Sequence, residues 1–157
     1  MKGDWKMLKV VPFEKKYIDD IYRIELDSFT IPWTKSALEK DALENKMSIY
    51  IVAIEDDKVI GYAGMWHVVT EGHITNIAVD SNHRKKGVGQ MLLQELNKIG
   101  MEKEMIGITL EVRMNNIPAQ KLYLKHDYKV EGIRKNYYSD TKEDALIMWK
   151  YLRKMGD

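Results

Sequence analysis

The spacing of hydrophobic positions changes several times along the chain, and each change marks an element. Met7 to Phe13 reads as a short strand; Pro12, which cannot donate to a ladder, places it at an edge or strand end. From Glu14 the period turns helical, with Ile18, Ile21, Tyr22, Glu25 and Phe29 at i, i+3, i+4, i+7 and i+11. That puts the carboxylate of Glu25 on an apolar stripe: it is either an imperfection in the stripe or a helix-end carboxylate facing a pocket mouth. Thr30-Ile31-Pro32-Trp33 breaks the helix, and Thr34 is the expected N-cap of a second one running to about Asn45.

Two strand-like runs follow, Ser48–Glu55 and Lys58–Val68, joined as a hairpin by Asp56-Asp57. Gly72–Val79 is a further strand. The run His83-Arg84-Lys85-Lys86-Gly87-Val88-Gly89 then opens a helix carrying Val88, Met91, Leu92, Leu96 and Ile99 on one face. Met105–Arg113 alternates cleanly: Ile106, Ile108, Leu110 and Val112 share one side, Thr109, Glu111 and Arg113 the other. Asn116 is the expected N-cap of a helix to about His126, with Pro118 tolerable in the first turn. Tyr128–Ile133 and Ala145–Leu152 read as closing strands. The order β-α-α-β-β-β-α-β-α-β-β predicts an α/β domain (α+β by some schemes) with a mixed sheet.

Composition narrows the class. The 157 residues, 45% hydrophobic and 31% charged, fit one globular domain with a proper core. No linker or repeat divides residues 1–157. There is no cysteine, which removes disulfides, thiolate metal sites and a thiol nucleophile. A formal charge of +1 argues against a general nucleic-acid binder. The longest mainly apolar stretch, Val59 to Val69, falls far short of the roughly 20 residues of a membrane span. Met1 to Trp5 lacks an apolar leader, so a cytoplasmic location is expected, with no membrane partner.

The sharpest local chemistry is Arg84-x-x-Gly87-x-Gly89 between a strand and a helix. Glycines allow close backbone approach, and a helix N-terminus offers unpaired N–H groups and a positive dipole end. With Arg84, Lys85 and Lys86 the loop suits a pyrophosphate, although a basic surface turn would carry the same letters. It lacks the Gly-Lys-Ser/Thr of a Walker loop and the G-x-G-x-x-G of a dinucleotide fingerprint. Glu111, on the polar side of its strand, is a candidate general base, directly or through one water; the plain alternative is a surface carboxylate paired with Arg113. Tyr123 is spaced as a core aromatic, but its hydroxyl could donate a proton. His73 is a second candidate base, more simply structural or substrate-contacting. His67, His83 and His126 show no pairing at ligand spacing, so no metal is expected. Tyr137-Tyr138 beside Asp140, Glu143 and Asp144 reads as a solvated loop, or as a lip gripping a cationic peptide.

In chain order stand Glu25-x-x-Ser28-Phe29-x-x-Pro32-Trp33, Asn76-Ile77-Ala78-Val79, the glycine loop, Leu110-Glu111-Val112-Arg113 with Asn115-Asn116-x-x-Ala119-x-x-Leu122-Tyr123, Gly132-x-Arg134-x-x-Tyr137-Tyr138, and Glu143-Asp144-Ala145-Leu146-x-Met148. Together they resemble the GCN5-related N-acetyltransferases (GNAT), and within them the RimI branch, which acetylates the N-terminal alanine of a small-subunit ribosomal protein. The lead-in Gly72-His73-Ile74-Thr75 is similar to the catalytic subunits of archaeal and eukaryotic N-terminal acetyltransferases. Lys125-His126-Asp127-Tyr128 replaces a more usual Gly-Phe pair, which bears on helix capping.

The resemblance implies a mostly antiparallel sheet of six to seven strands with helices on both faces, and acetyl-CoA as cosubstrate without a metal. It implies that Ile77, Ala78 and Val79 hold the acetyl and pantetheine part, that Arg84, Lys85, Lys86, Gly87, Val88, Gly89 and Gln90 cradle the pyrophosphate, and that Asn116 touches the cofactor. Glu111 would be the base and Tyr123 the acid. The expected acceptor is a free α-amine at a protein N-terminus, most simply a ribosomal one, attacked directly in a ternary complex by a monomer or weak homodimer. Such an amine, pKa about 7.7–8.0 against about 10.4 for lysine, gives up its proton more readily at pH 7. Two other readings share these residues: acetylation of a small amine (polyamine, amino acid or aminoglycoside) and a non-catalytic acetyl-CoA sensor. The aromatic segments Phe29–Trp33 and Tyr137–Tyr138 favour a peptide end; a cage of acidic groups would favour a polyamine.

Overall fold

A computed structural model describes residues 7–153; the reading of Met1 to Trp5 falls outside them. The elements follow the predicted order: β1 (Leu8–Pro12), α1 (Ile18–Ser28), α2 (Lys35–Leu43), β2 (Ser48–Glu55), β3 (Lys58–Val68), β4 (Glu71–Val79), α3 (Val88–Glu102), β5 (Gly107–Arg113), α4 (Ile117–Lys125), β6 (Lys129–Arg134) and β7 (Ala145–Tyr151). The strands form a seven-stranded sheet in the order β1-β2-β3-β4-β5-β7-β6. The β4–β5 pairing is parallel, whereas β1–β2, β2–β3, β5–β7 and β6–β7 are antiparallel. β1 lies at the sheet edge, where the missing N–H of Pro12 is tolerated.

Local rules account for most boundaries. Thr34 caps α2 by accepting from the Ala37 N–H at 3.1 Å, and Asn116 caps α4 by accepting from Ala119 at 3.2 Å. Asp56 and Asp57 both take positive φ, 49° and 68°, the twist that a tight hairpin between Glu55 and Lys58 requires.

The contacts group the chain into two compact units. The first runs to Trp66 and resumes at Thr75–Leu96. Its core joins Ile18, Ile21 and Ile24 of α1 and Leu38 of α2 to Tyr50, Val52, Tyr62 and Ala78 of the strands. Tyr62 therefore faces α1 and α2. Its neighbour Gly61 faces the other way, where an added Cβ would meet Val88 and Leu92 of α3 at 3.1 and 3.3 Å. Helices thus cover both faces of this part of the sheet.

The second unit comprises His67–Ile74 and the chain from Asn97 onward. Its buried residues include Met105, Ile108, Leu110, Val112, Tyr128 and Met148. Here the strand starts later than its pattern suggests, at Gly107. Residues 103–106 finish α3 instead: Glu104 takes φ +57° and the Met105 N–H returns to the Gly100 carbonyl at 2.9 Å. Ile106 consequently leaves the inward row and is exposed. Thr109, on the nominally polar side, is buried because its hydroxyl donates to the Met148 carbonyl at 2.9 Å.

Candidate active site

The first unit carries the strand end and basic loop. The β4–β5 register covers Glu71 to His73, and past His73 that ladder ends among the described residues. The backbone of Ile77, Ala78 and Val79 therefore lies on a stretch of β4 with no β5 partner. Asp80 then turns the chain: its N–H donates to the Ile60 carbonyl at 2.8 Å and its carboxylate accepts from the Asn82 N–H at 3.2 Å. Burial acts to raise the Asp80 pKa, but the Asn82 N–H and the charges of Arg23, His83 and Lys58 outweigh it and hold the carboxyl below its ordinary value. The His83 ring stands 3.3 Å from Glu55 and 3.4 Å from Asp80, so it belongs to the base of the turn.

Beyond this anchor Arg84, Lys85, Lys86 and Gly87 are exposed. Lys85 and Gly87 take φ of +65° and +82°, and a Cβ on Gly87 would meet nothing within 4 Å. The glycine serves backbone conformation there, not packing. Val88, buried, starts α3. Arg84 donates through Nε to the Val79 carbonyl at 3.3 Å, tying the loop back to β4. This arrangement fits a pyrophosphate with its pantetheine arm: an open strand edge leads through the Asp80–His83 turn to exposed cations and a helix N-terminus.

The second unit carries Glu111, Asn116 and Tyr123. Glu111, on β5 opposite Ile147, is partly exposed and accepts from Arg134 Nε at 3.3 Å. Its expected partner Arg113 turns elsewhere. Arg113 binds Asp140 at 2.9 Å and Glu143 at 3.4 Å, and its guanidinium lies 4.0 Å from the centre of the Tyr138 ring. Glu143 in turn accepts from the Asn115 N–H at 2.7 Å. The segment read as a solvated loop is therefore anchored to β5. Tyr137 packs edge-on against Tyr138, centroids 5.0 Å apart. Burial pushes the Tyr138 phenol up to about 12.

Tyr123 lies in the last turn of α4, its ring 5.9 Å from that of Tyr128. Burial, with Tyr138 nearby, pushes its phenol up to about 12, so it stays protonated through the neutral range. The helix ends in a Schellman motif: Tyr128 N–H returns to the Tyr123 carbonyl at 3.0 Å and Asp127 N–H to Leu124 at 3.1 Å. Asp127 takes φ +70° at the position that glycine usually fills. His73 is half-exposed and sits 3.0 Å from Glu71 on its own strand. Among the described residues no group of His, Asp or Glu is arranged to hold a metal.

Glu25 is the residue whose role its sequence position leaves undecided. It is 1% exposed, and three donors converge on it: the Tyr62 hydroxyl and Asn76 Nδ2 (3.2 Å) on Oε1, the Trp33 backbone N–H (2.9 Å) on Oε2. A second buried set, which no pattern singles out, joins Asp41 to Tyr50 at 2.6 Å and to the Trp66 indole at 3.0 Å.

The chain thus combines a mixed seven-stranded sheet with a basic glycine turn after its fourth strand and a carboxylate on its fifth. The model of the acetyltransferase (GNAT) family matches residues 18–128, and the chain belongs to that family. Among similar proteins, the ribosomal protein bS18-alanine N-acetyltransferase of Haemophilus influenzae (strain ATCC 51907 / DSM 11121 / KW20 / Rd) is 33% identical over 135 residues, 84% of this chain and 90% of that protein. A Bacillus subtilis (strain 168) protein whose name provisionally gives the same activity is 45% identical over 132 residues, 84% of this chain and 87% of that one. The crystal structure of the Escherichia coli ribosomal-protein-S18-alanine N-acetyltransferase superposes with a TM-score of 0.88 at 27% identity, covering 96% of this chain and 97% of that one.

Proposed function

We propose that this chain is a single-domain enzyme transferring the acetyl group of acetyl-CoA to the N-terminal α-amine of a protein, with the N-terminal alanine of the small-subunit ribosomal protein bS18 as acceptor. The observation that carries the reading is the end of the β4–β5 ladder at His73, which leaves the rest of β4, on the way to the exposed basic loop and the start of α3, without a β5 partner. Backbone groups of Ile77–Val79 are thereby left to take a ligand, and the loop to take its phosphates.

Acetyl-CoA supplies an activated thioester carbonyl. Backbone N–H groups of Ile77–Val79 orient it and meet the negative charge that develops on the carbonyl oxygen. Arg84, Lys85 and Lys86, with the N–H groups from Gly87 to Gln90, hold the pyrophosphate, and Asn116 contacts the carrier. Glu111 takes the proton of the attacking amine, directly or through one water, while Arg134 on Oε2 fixes the carboxylate. Tyr123 donates toward the departing sulfur. Its pKa of about 12 against about 8.5 for an ordinary thiol means that it gives a hydrogen bond first, and a full proton only as the amine releases one.

One feature favours a peptide over a polyamine. The acidic groups of the β6–β7 connection are already engaged, Asp140 and Glu143 by Arg113 and Asp144 by Lys135 and the Asn136 N–H. No acidic cage is left there for a small polycation.

The test is transfer of labelled acetyl from acetyl-CoA to three acceptors: a peptide with a free N-terminal alanine, the same peptide blocked and carrying an internal lysine, and spermidine. Label on the free-terminus peptide alone is the expected result. Label on spermidine alone would move the chain to the small-amine class, and acetyl-CoA binding without transfer would favour the sensor or a missing partner protein.

A further inference from the structure

We infer that Glu25 is a positioning residue for the acceptor: its buried carboxylate clamps the α1–α2 connection to β3 and β4 and sets where the segment Phe29–Trp33 stands. The inference rests on the proposed function and on the sequence expectation that the aromatic segment Phe29–Trp33 receives the peptide end.

Burial of a carboxylate is the expensive choice at a position whose neighbours on the stripe, Ile18 and Ile21, are aliphatic. An aliphatic residue at 25 would serve the core at least as well if packing were all that mattered. What the carboxylate adds is reach. Its Oε2 accepts the backbone N–H of Trp33, eight residues downstream, and Oε1 accepts from Tyr62 on β3 and Asn76 on β4. All three contacts are donors, a set that only an acceptor-only group satisfies.

The clamped segment has the build of a contact lip. Phe29 and Ile31 are 37% and 53% exposed, and Leu26, one turn back on α1, is 50% exposed. Pro32 fixes one backbone angle and removes one donor, so Trp33 supplies the anchoring N–H at the end of the segment. A connection that displays apolar side chains while its backbone is held by a buried side-chain acceptor is pre-ordered, and pre-ordering lowers the entropy lost on binding. Asn76 extends the clamp to the residue before Ile77. Only its amide nitrogen can face the carboxylate, so Oδ1 is left buried without a partner.

A purely structural Glu25 would alter stability alone. The test therefore reads the clamp and the kinetics separately in Glu25→Gln, Tyr62→Phe and the wild-type chain. Amide hydrogen exchange at Trp33 reads the clamp without any acceptor: protection is expected in the wild type and in Tyr62→Phe, and weaker protection in Glu25→Gln, whose single carbonyl oxygen must serve Trp33, Tyr62 and Asn76 together. Steady-state kinetics, well below the unfolding temperature, are expected to give Glu25→Gln a peptide KM raised about tenfold, with acetyl-CoA KM within about twofold, since a charge-assisted hydrogen bond is at stake. Tyr62→Phe removes a donor from the same carboxylate but leaves the Trp33 contact, so it should lower stability and keep the peptide KM.

A wild-type Trp33 amide that exchanges freely would overturn the inference even if Glu25→Gln did not fold. So would equal changes in both KM values for Glu25→Gln, or a Glu25→Gln chain whose only defect is thermal. Failure of the wild type to acetylate the peptide would overturn the acceptor assignment instead, and exchange at Trp33 would still decide the clamp.

Discussion

Replacing Glu111 by glutamine isolates the chemical step, because the structure lets the fold tolerate it. The side chain is partly exposed on β5, and Arg134 Nε donates to its Oε2 at 3.3 Å. Glutamine keeps a carbonyl oxygen there, so the hydrogen bond survives, and an ion pair this exposed contributes about 0–1 kcal/mol at most. Stability should hardly move. The kinetic loss depends on which proton the carboxylate takes. If it only strips the resting ammonium, the penalty is bounded by the amine's own titration. An α-amine of pKa about 8 is roughly one-tenth neutral at pH 7, so the loss is about tenfold and vanishes near pH 9. If it accepts the proton as the C–N bond forms, the loss is about 10²–10⁴ and persists at high pH. The second is expected. Initial rates on the free-alanine peptide at pH 7 and pH 9, with acetyl-CoA affinity by calorimetry, separate the two. Turnover equal to wild type at both pH values, with unchanged cofactor affinity, would remove Glu111 from the reaction, and a loss of about tenfold at pH 7 that vanishes at pH 9 would confine it to stripping the resting ammonium.

Two further predictions concern the frame around these groups. Asp127 holds the left-handed C′ position of α4, so Asp127→Gly should stabilise by up to about 1 kcal/mol, read as a raised urea midpoint with unchanged slope, and activity should be unaltered. The phenols of Tyr50, Tyr62 and Tyr128 are all raised by burial, Tyr50 also by Asp41, Tyr62 also by Glu25 and Tyr128 also by Tyr123. A phenol whose folded pKa lies above its unfolded value stabilises fully below the unfolded pKa of about 10 and loses that stabilisation as pH rises. Unfolding free energy should thus fall steeply above pH 10, by about 1.4 kcal/mol per pH unit for each such phenol, and Tyr128→Phe should flatten the slope by one share.

What was legible in the sequence was what short-range rules decide. The caps Thr34 and Asn116, the Asp56-Asp57 turn and the side of β5 that carries Glu111 depend on residues a few positions apart, and each stands as expected. The basic loop was legible for the same reason. Partners chosen by the path of the chain were not. Arg113 lies two positions from Glu111 in sequence and on the same side of β5, yet it engages Asp140 and Glu143, while Glu111 takes Arg134 from β6. A surface charge has several candidate partners within reach, and side-chain spacing on one strand does not rank those that other strands deliver.

The buried network marks the sharper limit. Along α1, Glu25 interrupts an aliphatic stripe; along β4, Asn76 interrupts the inward row Ile74, Ala78; on β3, Tyr62 brings a hydroxyl into a run buried on both sides. Each looks like a flaw by itself, because periodicity scores a polar residue in an apolar row as a weaker match and cannot see across 37 or 51 positions to its partner. In the folded chain the flaws coincide, and each satisfies what the others would leave unpaired. Removing Glu25 strands the donors that Tyr62, Asn76 and Trp33 aim at it, at about 1–3 kcal/mol each, so the carboxylate is not free to drift toward the aliphatic residue that its own row prefers. Polar interruptions in several apolar rows of one chain are therefore evidence about one another, and here they locate the residue that holds Trp33 in place.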